Sequence, residues 1–262
     1  MWEEPPISGE NGSGTVFFCG CSLKCIYCQN NAISHGELGE EVSISHLAKI
    51  FCYLQDKGAH NINLVTPTHF APQIADAIDI ARENGLTLPI ISNTSGYESL
   101  ESLSFFKDKV DIYLTDFKYA SNELAIKYSS APNYPTVASV ALDEMFSQVG
   151  DYREDPKTGL LKRGIVVRHL MLPGSLEDSK AVMRLLANKP YSDKICVSLM
   201  NQYTPFKRAS EKFPELGVKV NEDDYNELID YALSLGLTNS FYQVGNTAKE
   251  SFIPDFEEGL PV

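Results

Sequence analysis

From Thr15 onward the chain repeats one pattern: a short apolar run suited to a strand, a polar turn, then apolar residues at helical spacing. The strand-like runs are Thr15–Cys19, Asn61–Thr66, Pro89–Asn93, Val110–Phe117, Gly164–Leu170, Ile195–Leu199 and Ser240–Val244. Between them, Ser43 can cap a helix whose apolar positions are Ile44, Leu47, Ala48, Phe51 and Leu54. Pro72 suits the first turn of the next helix, and Ser121, Ser175 with Asp178, and Asn221 mark further starts. Such alternation builds a parallel sheet, either an open doubly wound layer or a barrel. In both, the polar residues that follow each strand share one rim, where ligands bind. That rim gathers Cys21–Cys28, Thr66–His69, Asn93–Ser95, Asp116–Lys118, Arg168–His169 and Asn201–Tyr203.

The first of these stretches carries the chemistry. Cys21, Cys25 and Cys28 lie within eight residues, Cys19 and Gly20 precede them, and Gln29-Asn30-Asn31 follow. Only two of three such thiols can pair as a disulfide, so the group reads as ligands on one metal centre. Zinc is one candidate, with His35 as fourth ligand, although structural zinc sites usually take two separated pairs and no second pair exists here. A cubane iron–sulfur cluster is the other; three protein thiolates would leave one iron open to a small ligand. Cys52 and Cys196 fall on apolar faces and read as core, Cys19 as structural.

The balance of charges narrows the partners. A formal net charge of −13 argues against sequence-independent binding to nucleic acid, which needs a basic surface. No apolar run reaches the roughly 20 residues of a membrane helix, and six cysteines, four of them clustered, do not form a secreted disulfide framework. A cytoplasmic protein is the expectation. At 262 residues we expect a single domain over 1–262, with an extended lead-in at 1–13, a polar surface loop at 151–163, a long irregular stretch at 200–220 and a peripheral acidic tail at 246–262.

The spacing C-x3-C-x2-C with an aromatic at Tyr27 resembles the signature of the radical S-adenosylmethionine enzymes. The run G-T-V-F-F-C-G-C-S-L-K-C-I-Y-C-Q-N resembles the pyruvate formate-lyase activating enzyme group, in particular its uncharacterised homologues. The likeness continues through I-N-L-V-T-P-T-H-F, I-S-N-T-S-G-Y, V-D-I-Y-L-T-D-F-K-Y, V-V-R-H-L-M-L-P-G and S-L-M-N-Q-Y, roughly residues 12–245.

This resemblance implies a partial (β/α)6 barrel of the TIM-like kind. It also implies a [4Fe–4S] cluster on Cys21, Cys25 and Cys28, with S-adenosyl-L-methionine on its open iron. It assigns cofactor contacts to Thr66, Thr68, Asn93, Thr94, Asp116, Lys118, Arg168 and Tyr203. Two positions depart from the usual pattern. Thr66-Pro67-Thr68-His69 stands where most relatives carry a Gly-Gly-Glu motif, and Asn93 where activating enzymes carry an Asp that helps bind a cation. The implied activity is reductive cleavage of S-adenosylmethionine to a 5′-deoxyadenosyl radical, with a glycyl radical enzyme as protein substrate. Other peptides or small molecules are the alternative substrates, and flavodoxin or ferredoxin the implied electron donor.

Overall fold

The computed structural model describes residues 4–35 and 38–243. Seven parallel strands form one sheet in chain order: β1 (Gly14–Phe17), β2 (Ile62–Val65), β3 (Ile90–Thr94), β4 (Ile112–Asp116), β6 (Leu161–Leu170), β7 (Cys196–Met200) and β8 (Ser240–Tyr242). A two-residue strand β5 (Arg153–Glu154) folds back antiparallel onto β6, inside what the sequence suggested was a surface loop. The helices, in chain order, are α1 (Pro5–Ser8), α2 (Asn31–Ser34), α3 (Ile44–Asp56), α4 (Ala71–Glu83), α5 (Leu100–Ser104), α6 (Asn122–Ser129), α7 (Tyr134–Val149), α8 (Leu176–Ala187), α9 (Lys207–Lys212) and α10 (Glu222–Ser234). No pairing joins β8 to β1 among the described residues, so the sheet is an open, barrel-like layer.

Capping follows the sequence signals in three cases. Ser43 accepts from the His46 amide, Ser121 from Leu124, and Asn221 from Asp223 and Asp224. The fourth differs. Ser175 makes no side-chain cap, and Asp178 instead turns its carboxylate onto the amides of Ala120 and Ser121 (3.2 and 2.6 Å), pinning the turn after β4 to α8. The 200–220 stretch holds α9 and a 3-10 turn, Pro214–Gly217.

Parallel register puts equivalent residues of neighbouring strands on one face. Ile91, Ile112, Leu114, Val166 and Cys196 thereby form one small core. Tyr113, Phe117, Ile165, Val167, Val197 and Leu199 face the helices and join the larger one. The smaller core is closed by the N-terminal segment, where the sequence suggested only an extended lead-in. Ile7 of α1 is fully buried among these strand residues. Glu4 then meets Arg168 in a two-pronged ion pair, at 2.9 Å to Nε and 2.6 Å to Nη2, and accepts from the Ser198 hydroxyl. The tail at 246–262 lies outside the described residues.

Candidate active site

Gly20, at φ 88°, lets the chain leave β1 through a turn that disfavours side chains, and the cysteine loop begins there. Its geometry is fixed from three directions. His69 Nε2 lies 2.6 Å from the Cys19 carbonyl and so, as donor, holds the start of the loop. The amides of Lys24 and Ile26 donate to the Ser129 and Tyr128 carbonyls at the end of α6 (3.0 and 2.9 Å). Arg208 of α9 donates to the Ile26 and Cys28 carbonyls (2.9 and 2.5 Å). Neither Ser129 nor Arg208 is marked by any motif, which is why the sequence did not point to them.

Cys21, Cys25 and Cys28 are all free thiols, half-buried in this loop. Burial pushes the Cys25 thiol up to about 11, opposed by the Lys118 ammonium and by a hydrogen bond from Ser129. Cys21 is raised for the same reason and receives the Leu23 amide. Among the described residues, no three or more His, Cys, Asp or Glu side chains converge on the position of one ion. His35 is instead engaged locally, its Nδ1 lying 3.1 Å from the Asn31 carbonyl. This donor set, three thiols on one short loop, is of the soft type that iron–sulfur clusters and zinc both take. Cys19 is not part of it; its sulfur bonds the Leu38 carbonyl against Gly39.

The rim beside the loop is charged. Lys118 Nζ pairs with Asp116, and the two side chains remain partly open to solvent. The charges on Lys118 and on the two cysteines influence one another, which puts the ammonium in the neighbourhood of Cys21 and Cys25. Gly96 packs so closely on this strand end that a Cβ would lie 2.1 Å from the Asp116 carbonyl oxygen. Glu98, just beyond it, is buried; Oε1 accepts from the Ser95 amide and hydroxyl (3.1 and 3.0 Å). Burial pushes its carboxyl up to about 7.

The remaining sequence candidates separate into two groups. Thr66, Thr68 and Asn93 stand at the strand ends, partly exposed. Thr66 adopts φ 58°, a left-handed conformation rare for a β-branched residue, and its amide donates to the Asn93 carbonyl at 2.9 Å. Three others are engaged with neighbouring residues. Thr94, one residue out of phase with Asn93, is buried and donates to Thr115. Arg168 is held by Glu4. Tyr203 is buried, donates to the Leu216 carbonyl at 2.7 Å, and sets its ring edge-on to Tyr27. His169 is likewise a satisfied core histidine, between the Phe117 carbonyl and the Ser179 hydroxyl (2.8 and 2.9 Å).

Comparison with known proteins agrees with this geometry. Residues 7–128, which contain the cysteine loop, match the family described as a 4Fe-4S single cluster domain. Over 88% of the chain, the fold matches SuiB from Streptococcus suis bound to its precursor peptide SuiA, with a TM-score of 0.57 at 12% identity. Methylornithine synthase (PylB) matches over 87% of the chain and 70% of its own, with a TM-score of 0.56 at 14% identity. A spore photoproduct lyase matches over 90% and 78%, with a TM-score of 0.55 at 12% identity. The chain thus shares the fold of these three solved structures. In sequence, the chain is 26% identical over 231 residues to the uncharacterized protein MJ0674 of Methanocaldococcus jannaschii, covering 84% of this chain. The chain spans 62% of the length of MJ0674 and 48% of SuiB. On this fold, the cysteine loop follows β1 at the strand-end rim, in the neighbourhood of the Asp116–Lys118 pair.

Proposed function

We propose that this protein is a radical S-adenosylmethionine enzyme. Cys21, Cys25 and Cys28 would hold a [4Fe–4S] cluster, and the adjacent rim of Thr66, Thr68, Asn93, Asp116 and Lys118 would receive S-adenosyl-L-methionine. The observation that carries the reading is the loop itself: three free thiols, stapled by α6, α9 and His69, beside a lysine–aspartate pair. SuiB and a spore photoproduct lyase, which share the fold, have been solved bound to S-adenosylmethionine. When bound, the reduced cluster would supply an electron for cleavage of the cofactor's sulfonium. The chain's own residues position the cofactor: Lys118 offers a cation to its carboxylate or ribose oxygens, and the threonine hydroxyls can accept from its ammonium. Without an acid at Thr66–His69 that last contact is weaker than a charged one.

For the substrate, a protein or peptide is our preferred class, with activation of a glycyl radical enzyme as the specific form. The motif series shared with the pyruvate formate-lyase activating enzyme group favours it, and SuiB binds a precursor peptide. A cytoplasmic location and a flavodoxin or ferredoxin donor complete the reading. No helix among the described residues is long and apolar enough to cross a membrane.

Anaerobic reconstitution with iron and sulfide, reduction, and addition of S-adenosylmethionine should yield 5′-deoxyadenosine. Absence of that product from fully loaded protein would overturn the enzyme reading, as would colourless protein that carries zinc and no sulfide. A glycine-centred radical signal in a co-purified partner separates activation of a glycyl radical enzyme from action on other substrates.

A further inference from the structure

A chain of buried hydroxyls connects two residues of the cysteine loop. Tyr27 and Tyr119 oxygens lie 2.6 Å apart, Tyr119 and Ser129 oxygens 2.7 Å, and the Ser129 oxygen lies 3.0 Å from the Cys25 sulfur. Tyr27, Tyr119 and Ser129 are 8%, 1% and 0% exposed, so water does not compete for these bonds. The carbonyls of Tyr128 and Ser129 also take the amides of Ile26 and Lys24, which fixes the distance between the Ser129 side chain and Cys25 through the backbone.

The direction of every bond in this chain follows from counting protons. A cysteine that ligates a metal is a thiolate and can only accept. Ser129 has one hydroxyl proton, so donating it to Cys25 leaves its oxygen as acceptor for Tyr119. Tyr119 has then spent its own proton and must accept from Tyr27. The relay therefore runs Tyr27 to Tyr119 to Ser129 to Cys25, each donor polarised by the one before.

We propose that this Tyr27–Tyr119–Ser129 relay is a device for setting the reduction potential of the centre, with Ser129 as a positioning residue that donates to the Cys25 ligand. The inference rests on the cluster reading above. Hydrogen bonds to cluster sulfurs stabilise the more negative, reduced state and raise the potential. Among the three ligands, Cys25 is the one given a side-chain donor by the described residues; Cys21 takes only a backbone amide. The relay thus makes the ligand set unequal.

The test is a redox titration of the reconstituted protein followed by electron paramagnetic resonance. Iron and sulfide are counted first in each variant, because failure of wild-type protein to load would overturn the cluster reading and this inference with it. With loading established, Ser129→Ala should move the midpoint to a more negative value. Tyr119→Phe should move it less in the same direction, and Ser129→Thr, which keeps a hydroxyl, should return it toward wild type. A strongly coupled exchangeable proton should be present in wild type and Ser129→Thr and absent in Ser129→Ala. Equal midpoints in wild type, Ser129→Ala and Tyr119→Phe at equal cluster content would overturn the relay while leaving the cluster reading intact.

Discussion

At single residues, the rim departs from backbone and ionisation norms in ways that thermodynamics can read. Thr66 holds a left-handed conformation at the end of β2. Such strain costs a β-branched residue on the order of 1–3 kcal/mol, and glycine removes it at an entropic cost of roughly 0.5–1 kcal/mol. Thr66→Gly should therefore melt higher, by roughly 2–4 °C for each kcal/mol gained, in a thermal scan. A lower melting temperature would mean that the threonine side chain contributes more to stability than its backbone costs.

Two buried groups give stability opposite pH slopes. Burial lowers His169 to about 4, so the unfolded chain takes up its proton near 6.5 while the folded protein resists. The His169 contribution is constant above pH 6.5 and lowers stability as the pH drops from there to 4, by on the order of 3 kcal/mol. Glu98, raised to about 7, does the reverse: the unfolded carboxyl ionises near 4.5 and the folded one near 7. Stability falls by a similar order as pH rises through that window. Glu98→Gln, which keeps the acceptor for Ser95, should remove the second slope and raise stability at pH 8, as chemical denaturation at a series of pH values would record. The sequence contained no sign of Glu98's role, because its burial depends on a turn closed by Gly96 against β4.

At the scale of elements, the cysteine loop has little regular structure of its own and borrows its shape from α6 and α9. Arg208→Ala removes two charge-assisted bonds to the loop carbonyls. Hydrogen bonds from charged groups contribute about 1.5–3 kcal/mol each when buried, so the loop should open well before the fold does. The expected outcome is faster alkylation of the three loop cysteines in metal-free protein and reduced iron retention, with the melting temperature changed far less. Unchanged alkylation would mean that α6 and His69 alone hold the loop.

Elements were the most legible scale. The strands lie within a few residues of where apolar runs placed them, and three of four capping signals hold, because strand burial and helix capping are decided by near neighbours. The cysteine triad was legible because its three thiols lie within eight residues, on one loop. Ser129 and Arg208 were not, since their value lies in contacts across 104 and 180 residues of sequence, and a lone Ser or Arg carries no periodic signature.

For the whole molecule, the N-terminal segment is the largest departure from the sequence reading. A Pro- and Gly-containing stretch reads as peripheral, yet Ile7 and Glu4 close the small core of the sheet. Glu4 and Arg168 side chains are 7% and 13% exposed, so removing one partner leaves a buried charge. Such losses cost about 3–5 kcal/mol, whereas replacing both partners with apolar residues is often neutral. Glu4→Ala should therefore lower stability sharply, and Glu4→Ala with Arg168→Met should recover much of it in a denaturant titration. Equal loss in the single and double variants would show that the pair acts only through packing.

The staples on the cysteine loop also govern how the protein is born. The three thiols leave the ribosome before their partners, since Ser129 and Arg208 follow about a hundred and about 180 residues later. At roughly 5–20 residues per second, that interval is on the order of ten seconds or more. Through it the nascent loop carries reactive thiols without its mould, exposed to oxidation and to stray metal. The loop therefore takes its final shape only after α9 has been synthesised.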